Sequence, residues 1–419
     1  MNGQRMYDLV DKMAFVRLSG SEEEVRAAQI LAGELKDMGL EPVIEPFEVR
    51  DGLVKRTVLQ VVEPYQETLE ALAYRGSAST PVEGEIYDFL YVEEAVPANL
   101  LNAKGKFVLV DGYLNYDRYE KLMQAGVAGI LTYSGSYMDE EEKTDLDTRK
   151  LREQMLDDIG RTVAVNVRAK TAQDMVQKGA SKIRVSVQAE DVTLTSRNVI
   201  CEIPGTDYPD QLIVLGGHYD SVPFSKGCYD NASGSAILIE LARYFKANPP
   251  RRSLRFAWYG SEEQGLLGSK HDVQAHPDMV EKCIQMINVD MAGVAMGSDR
   301  CIVTGEMGTV HHLDQLFKAA GLPVQVSQDI YSSDCMPFAD KGVPCVNLAR
   351  FGANGQCQGH NRYDDMRFIT AKSLQQTGDM AFLAAEHLVN AKVFPIEKKL
   401  PEEIVEKVNT YLKKKPAKA

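Results

Sequence analysis

The sequence predicts an α/β fold, namely a mixed, mainly parallel sheet flanked by helices, with a smaller inserted β-rich α+β domain. Short, nearly continuous apolar runs after Arg197 are typical of strands that are buried on both faces of a parallel sheet. These runs occupy residues 212–215, 254–259, 286–289 and 343–348. Segments with helical spacing of apolar residues alternate with them, as in residues 236–247 and 311–320. We therefore expect helices on both faces of the sheet.

An N-terminal helix precedes this pattern. Ser21 followed by Glu24 is a capping-box pattern, apolar residues recur after it at helical spacing, and Gly39 supplies a stop. Residues 42–49 then have the alternating character of an extended segment. The pattern predicts a well-marked helix followed by an extended segment before the insertion.

The pattern of apolar and polar residues changes between residues 50 and 192. Short β-type runs are separated there by helical or polar links, which indicates a separate β-rich domain. At the other end of the chain, residues 396–419 are rich in lysine. We expect an exposed helix over residues 402–412 and a frayed tail after it.

Composition argues against several classes of protein. The chain has 419 residues and a formal net charge of -13, and so acidic a surface repels nucleic acid and anionic membranes. No stretch approaches the ~18 apolar residues that a membrane span needs, and the N-terminus lacks the pattern of a secretory signal. The seven cysteines are scattered and odd in number, which favours free thiols in a reducing compartment. We therefore expect a cytoplasmic protein.

Five segments after Arg197 carry side chains of the kind that bind metals, most of them at or just beyond the ends of predicted strands. They are G-G-H-Y-D with His218 and Asp220, Y-D-N-A-S-G with Asp230, S-E-E-Q-G with Glu262 and Glu263, N-V-D-M-A-G with Asp290, and G-H-N-R-Y-D-D with His360 and Asp364. Each has a simpler explanation when taken alone, such as a helix N-cap for Asp230 or a dipole-complementing pair for the two glutamates. Ligands of α/β sheets gather at the carboxyl ends of strands, so one common site explains the five segments better than five coincidences.

The residue types favour zinc chemistry. Zinc accepts imidazole nitrogen and carboxylate oxygen, and a catalytic zinc keeps one position open for water. Two zinc ions about 3.5–4 Å apart can hold one water or hydroxide between them, which requires a bridging carboxylate and further ligands on each ion. The candidates that supply this number are His218, Asp230, Glu263, Asp290 and His360. We therefore expect two Zn²⁺ per chain, for which Co²⁺ or Mn²⁺ can substitute.

Two carboxylates remain for other tasks in a hydrolase. Glu262, adjacent to a candidate ligand, is the candidate general base that takes a proton from water. Asp220, two residues after His218, is the candidate that accepts the free imidazole N–H and fixes the tautomer.

The five motifs resemble, in the same order, those of the co-catalytic zinc peptidases that include bacterial leucyl aminopeptidases, aminopeptidase Y and glutamate carboxypeptidase II. The resemblance covers about residues 1–45 and 193–392, so residues 1–49 and 193–395 would form one catalytic peptidase domain. It implies that one zinc is bound by His218 and Asp290, the other by Glu263 and His360. Asp230 would bridge the two ions, Glu262 would be the base, and the peptide bond after Asp230 would be cis.

Two further features are compared with this family. Residues 104–131 resemble part of a protease-associated domain, so residues 50–192 would be the insertion that some family members carry. The family often has histidine after the S-D pair of residues 333–334, where this chain has Cys335. We expect Cys335 to be an ordinary buried thiol, because this position is not among the five ligands.

The resemblance implies a function but leaves several possibilities open. We expect an exopeptidase that removes N-terminal residues from peptides, because the acidic site favours an ammonium group. A carboxypeptidase of the same family would need a cation for the terminal carboxylate, for which Arg350 and Arg362 are candidates. A single-zinc acyltransferase of the glutaminyl-cyclase type and a non-enzymatic receptor on a peptidase fold are also possible. The oligomeric state stays open.

The dizinc carboxypeptidases and deacylases share a similar order of ligands. Enzymes of that group carry an extra domain between the fourth and fifth ligands. In this chain the corresponding residues would be Asp290 and His360. These residues are too close in the sequence for such a domain, and the insertion precedes His218 instead. The aminopeptidase-type interpretation is therefore favoured.

Overall fold

The computed structural model describes residues 1–140, 143–353 and 359–414. The chain forms two compact units, of which the first comprises Met1–Glu48 with Thr195–Ala419 and the second comprises Val49–Leu194. Both boundaries fall within long strands. In the described ranges, no helix is long and apolar enough to cross a membrane.

The first unit is built on a mixed sheet. From edge to edge its strands are Gln325–Gln328, Gly297–Thr304, Cys345–Gly352, Cys283–Val289, Tyr208–His218, Arg252–Tyr259 and the last part of Lys182–Ile203. The four strands from Cys345–Gly352 to Arg252–Tyr259 run parallel to one another. Antiparallel pairings with Gly297–Thr304 and Lys182–Ile203 flank them. The predicted mixed, mainly parallel sheet is confirmed.

Helices account for most of the rest of the first unit. They are Gly3–Lys12, Glu22–Asp37, Ser233–Ala247, Leu267–Ala275, Pro277–Lys282, Met307–Ala319, Cys335–Ala339, Ala371–Asn390 and Glu402–Tyr411. The predicted N-terminal cap is present, since the Ser21 hydroxyl accepts a hydrogen bond from the backbone N–H of Glu24 at 3.1 Å. This bond satisfies one of the N–H groups that a helix start leaves without a partner.

The core of this unit lies on both faces of the sheet, because its central strands bury side chains on both sides. On the strand Arg252–Tyr259, Phe256 and Trp258 belong to one apolar cluster, whereas Ala257 and Tyr259 belong to another. Successive side chains of a strand point to opposite faces. The continuous apolar runs in the sequence therefore report a sheet that is covered by helices on each side.

The C-terminal helix Glu402–Tyr411 differs from our expectation of an exposed helix. Its residues Ile404 and Val408 are buried in the same apolar cluster as Phe338. Lys407, the lysine of this helix, remains partly exposed, so the lysine-rich composition of residues 396–419 does not describe the buried face of the helix.

The second unit has its own sheet and core. Beside the first part of Lys182–Ile203, its strands follow in the order Glu85–Tyr91, Phe107–Leu109, Gly129–Ser134, Val163–Arg168 and Leu72–Ala73, and the long strand Val43–Glu63 pairs with Glu67–Leu69. Its helices are Tyr116–Gln124, Glu153–Asp158 and Ala169–Gln177. Two apolar clusters include Phe107 and Val165 in one and Tyr119 and Ile130 in the other. This unit therefore buries an apolar core of its own.

Candidate metal centre

Three neighbouring parallel strands deliver most of the candidate residues to one edge of the sheet. His218 is the last residue of its strand and lies opposite Tyr259, after which the chain reaches Glu262 and Glu263 within four residues. Asp290 directly follows Cys283–Val289, which pairs with the His218 strand on its other side. Because the carboxyl ends of parallel strands meet at one edge, residues that are distant in sequence become neighbours.

Asp230 reaches the same edge from a turn. It lies in the irregular turn Cys228–Ala232, with φ -116° and ψ 90°, just before the helix Ser233–Ala247. The peptide bond between Asp230 and Asn231 is cis, as the family resemblance implies. The Asn231 side chain donates to the carbonyl of Val289 at 2.9 Å and accepts from the backbone N–H of Met291 at 3.1 Å. These bonds fasten the Asp230 turn to the strand end that carries Asp290.

The side chains form two groups that share Asp230. Nε2 of His218 lies 3.0 Å from Oδ1 of Asp230 and 3.5 Å from Oδ1 of Asp290. Nε2 of His360 lies 3.2 Å from Oδ2 of Asp230 and 3.1 Å from Oε2 of Glu263. Each oxygen of the Asp230 carboxylate thus faces a different histidine, and each histidine faces a second carboxylate. The five residues predicted as ligands are therefore brought together.

These spacings fit bound zinc. With zinc–ligand bonds of about 2.0–2.1 Å in a tetrahedron, neighbouring ligand atoms lie about 3.3 Å apart. In addition, Oε1 of Glu263 and Oδ1 of Asp290 are buried and accept no hydrogen bond within the described part of the chain. Burying carboxylate oxygens without a partner is costly. A pair of cations would satisfy them.

Burial also governs the acid–base properties of the cluster. Burial raises the pKa of Glu262 well above its usual range, although His218 opposes the shift. Burial likewise raises the pKa of Glu263 and of Asp290. Burial opposes ionisation of Asp230 as well, but hydrogen bonds with His218 and His360 outweigh it and lower its pKa. Removing water from so many carboxylates is unfavourable unless positive charge accompanies them.

Asp220 lies beside His218, but its main contacts differ from the expected one. Its Oδ1 lies 3.5 Å from Nδ1 of His218, and within the described residues that nitrogen makes no hydrogen bond. The same carboxylate accepts the backbone N–H groups of Glu262 at 3.0 Å and Glu263 at 3.3 Å. Asp220 therefore fixes the loop that carries both glutamates.

Asp364 holds the Asp230 turn from the other side. Its carboxylate accepts the backbone N–H of Tyr229 at 2.7 Å and that of Asp230 at 3.0 Å. The sequence placed Asp364 in a motif but assigned it no role. Its position four residues after His360 couples the segment that carries this histidine to the turn that carries Asp230.

Arg17 is a functional residue that sequence reasoning missed. Its guanidinium is fully buried and donates to the backbone carbonyls of Tyr219 at 2.6 Å, Lys226 at 2.6 Å and Gly227 at 3.0 Å, and also to Met13 at 2.6 Å. It thereby closes the loop that runs from Asp220 towards Asp230. No local pattern in the sequence marks an arginine that acts through carbonyl groups.

Two arginines and one cysteine that the sequence analysis singled out are not among the proposed metal ligands. Arg350 is buried, and its guanidinium donates to Asp299 at 3.1 Å and to the carbonyl of Val294 at 2.8 Å. Arg362 is half-buried in the turn after His360. Cys335 is fully buried, with its sulfur 3.3 Å from that of Met286, as expected of an ordinary core thiol. Cys357 lies outside the described residues.

The fold and the site together define the class of protein, a zinc-dependent exopeptidase. Residues 198–385, which contain all the candidate ligands, match Peptidase family M28. The match confirms the resemblance recognised in the sequence for this part of the chain.

Individual relatives agree with this assignment. The chain is 26% identical over 406 residues to aminopeptidase YwaD of Bacillus subtilis, an alignment that covers 90% of this chain and 82% of that protein. It is 25% identical over 316 residues to human carboxypeptidase Q, covering 71% of this chain and 64% of that protein. The structure of a zinc aminopeptidase from Bacillus subtilis superposes with a TM-score of 0.78 at 22% identity, over 96% of this chain and 98% of the other, which shows the fold.

Proposed function

We propose that this protein is a two-zinc aminopeptidase that removes single residues from the N-termini of peptides. The observation that supports it best is the position of Asp230, whose two carboxylate oxygens lie 3.0 Å and 3.2 Å from different histidines. Asp230 would be shared by two zinc ions, with His218 and Asp290 as the further ligands of one ion and Glu263 and His360 as those of the other.

The chemistry divides between the metal pair and the chain. When bound, two zinc ions polarise the scissile carbonyl and lower the pKa of a shared water. Glu262 would act as the general base that takes a proton from the attacking water, and then as the general acid that gives a proton to the leaving amine. Asp220 positions Glu262, because it accepts its backbone N–H at 3.0 Å. This placement keeps the base beside the site although Glu262 is not itself a ligand.

The charge of the site favours a free N-terminus. Glu262, Glu263 and Asp230 are buried carboxylates at the same edge of the sheet. They stabilise an incoming ammonium group, although two bound dications would offset much of their negative charge. Arg350, one of the two cations considered for a carboxypeptidase, is engaged by Asp299 and Val294. Its guanidinium is therefore committed to the protein rather than offered to a substrate carboxylate.

A carboxypeptidase is the second candidate function. The similarity to human carboxypeptidase Q favours it, and Arg362 would supply the cation near His360. Substrates with one blocked end separate the two candidates. We expect aminoacyl-p-nitroanilides to be hydrolysed and their N-acetylated forms to resist, while dipeptides with C-terminal amides remain substrates. Hydrolysis that tolerates acetylation but fails on amides would establish the carboxypeptidase instead.

A count of bound metal distinguishes the two-zinc peptidase from an acyltransferase and from a receptor. A glutaminyl-cyclase-like acyltransferase would work with one zinc per chain, whereas five ligands with a shared carboxylate favour two. A non-enzymatic receptor is disfavoured because each of the five expected ligand positions holds a ligand-type residue. Elemental analysis of the purified protein should show at least two equivalents of zinc, or of substituted cobalt or manganese, per chain. Full activity with a single equivalent would contradict the two-zinc proposal.

The second unit and the cellular location complete the proposal. We propose that Val49–Leu194 is a protease-associated domain, on the basis of the sequence over residues 104–131. We also propose a cytoplasmic protein that acts on peptides and not on nucleic acid. Six cysteines in the described part of the chain are free, buried thiols, which agrees with a reducing compartment.

A further inference from the structure

A second group of histidine and carboxylate side chains lies on other elements of the first unit. Glu45 belongs to the strand Val43–Glu63, and His271 belongs to the helix Leu267–Ala275. His276 follows this helix directly, where the chain turns into Pro277–Lys282. None of these residues belongs to the five motifs, and the proposed peptidase mechanism does not use them.

Both histidines converge on one oxygen of the glutamate. Oε1 of Glu45 lies 3.3 Å from Nε2 of His276 and 3.7 Å from Nε2 of His271. Ligand atoms around a tetrahedral zinc ion lie about 3.3 Å apart. The distances at the candidate metal centre run from 3.0 Å to 3.5 Å. The same side-chain types therefore recur here at a similar spacing.

The ring of His276 is fixed from its far side. Its Nδ1 lies 3.1 Å from both the backbone carbonyl oxygen and Oδ1 of Asp272, a fully buried residue, and 3.5 Å from Nη2 of Arg255. Asp272 is itself held by Arg255 at 2.5 Å and by the Tyr259 hydroxyl at 3.1 Å. A carboxylate on Nδ1 favours the tautomer with its proton there, which leaves the Nε2 lone pair directed at Glu45. Two acceptors that face each other repel unless a cation or a proton lies between them.

The ring of His271 is also held in place, and solvent can reach the three side chains. The ring of His271 stacks on Phe47, with centroids 5.0 Å apart and an interplanar angle of 18°. The side chains of Glu45, His271 and His276 are 23%, 32% and 33% exposed. An ion can therefore enter from solvent, and water can complete its coordination.

We propose that Glu45, His271 and His276 bind a further divalent transition-metal ion of the zinc type, with water as the fourth ligand. Asp272 acts behind His276 rather than as a ligand, because Arg255 and Tyr259 already occupy its oxygens. Imidazole nitrogen selects zinc and its neighbours over magnesium and calcium, which prefer oxygen. The ion would link the strand of Glu45 to the helix that begins four residues after Glu263, and so stabilise the native state.

The test compares two histidine variants at equal zinc. Metal-free protein is equilibrated with ZnCl₂ at about pH 8, where histidine is ordinarily neutral, and bound zinc is counted by elemental analysis. We expect the double variant His271→Gln with His276→Gln to bind one equivalent fewer than the wild type. His311→Gln, at an exposed histidine outside both groups, is the matched control and should bind the wild-type amount. The difference between variants does not depend on how many ions the candidate metal centre holds.

Two further measurements keep the proposal testable if the double variant folds poorly. Glu45→Gln alone should weaken the additional binding while preserving the helix. Anomalous diffraction from wild-type crystals soaked in ZnCl₂ should show a peak between Glu45 and His276. Equal zinc in all variants together with no such peak would overturn the proposal. His276 would then be a protonated partner of Asp272 and Glu45, both of which raise its pKa.

Discussion

The carboxylate of Asp364 accepts the backbone N–H of Asp230 at 3.0 Å, so one acidic residue fixes the backbone of another. Both belong to segments that carry proposed ligands, since Asp364 lies four residues after His360. The guanidinium of Arg17 donates hydrogen bonds to backbone carbonyls of the loop that leads to Asp230, at Lys226 and Gly227. A carboxyl group that accepts amide N–H bonds and a guanidinium that donates to carbonyls thus hold the same stretch of chain. This frame supports the geometry of the proposed bridge.

Asp364→Asn is expected to weaken zinc binding by roughly 10–100-fold, the usual effect of losing a partner behind a ligand. An amide accepts hydrogen bonds through one oxygen only, so one of the two N–H groups at Tyr229 and Asp230 loses its partner. Competition with a chelator measures the affinity. Asp365→Asn is the matched control, because the neighbouring Asp365 pairs with Arg367 near the surface. Equal affinity in the two variants would refute a positioning role for Asp364.

Arg17→Lys is expected to lower the free energy of unfolding by about 2–4 kcal/mol. Lysine keeps the charge but cannot reproduce the planar set of donors, so several buried carbonyls lose their hydrogen bonds. Urea unfolding of the zinc-saturated protein measures the change. In the control Arg26→Lys, the exposed guanidinium over the ring of Phe15 is replaced, and the change should stay within about 0.5 kcal/mol. Similar values for both variants would contradict the role of Arg17 in closing the loop.

Much of the fold follows from the sequence because two-faced burial leaves a local signal. The run 254–259 is apolar except for Arg255, since Phe256 and Tyr259 face different clusters and both are buried. The proposed ligands are equally visible, because metal binding needs specific residue types at strand ends. The burial of Ile404 and Val408 was not predicted, since the few apolar residues of this short helix are not enough to reveal a packed face.

Contacts between distant segments could not be predicted from the sequence. Arg17 meets Gly227 across more than two hundred residues, and no periodicity records such a pairing. The convergence of His271 and His276 on Glu45 is of the same kind. A histidine on a helix is ordinary until the strand that faces it is known. Sequence patterns report which face is buried, whereas these contacts depend on the tertiary arrangement.

Glu24 is expected to make stability depend on pH in the neutral range. Burial raises the pKa of its carboxyl to about 8 in the folded protein, from an ordinary 4.5. The folded state therefore holds a proton that the unfolded state releases, so this contribution is present at low pH and is lost as the pH rises towards about 8. Relative to Glu24→Gln, the wild type should lose free energy of unfolding between about pH 5 and pH 8.

Urea unfolding at several pH values with saturating zinc measures this difference. Glu240→Gln is the control. Burial opposes ionisation of Glu240, but hydrogen bonds from Arg5 and Arg243 outweigh it and lower its pKa. Glu240 therefore affects the pH dependence of stability only at pH values below this range. The difference in free energy of unfolding between Glu240→Gln and the wild type should stay constant between about pH 5 and pH 8. A flat difference for Glu24→Gln as well would show that Glu24 is already ionised in the folded protein.

Substitutions of the adjacent residues Glu262 and Glu263 are expected to have different effects on metal content and on turnover. Glu262→Gln removes the proposed base but no ligand, so both metals should remain while turnover falls by roughly 10²–10⁴-fold. Glu263→Ala removes an oxygen that lies 3.1 Å from Nε2 of His360, so this variant should lose a metal equivalent. Metal analysis and turnover on an aminoacyl-p-nitroanilide, measured on the same samples, separate the two effects. Asp220 holds both backbones, so neither substitution should disturb the loop itself. If both variants lost metal, or both kept it, the division of roles within the pair would be wrong.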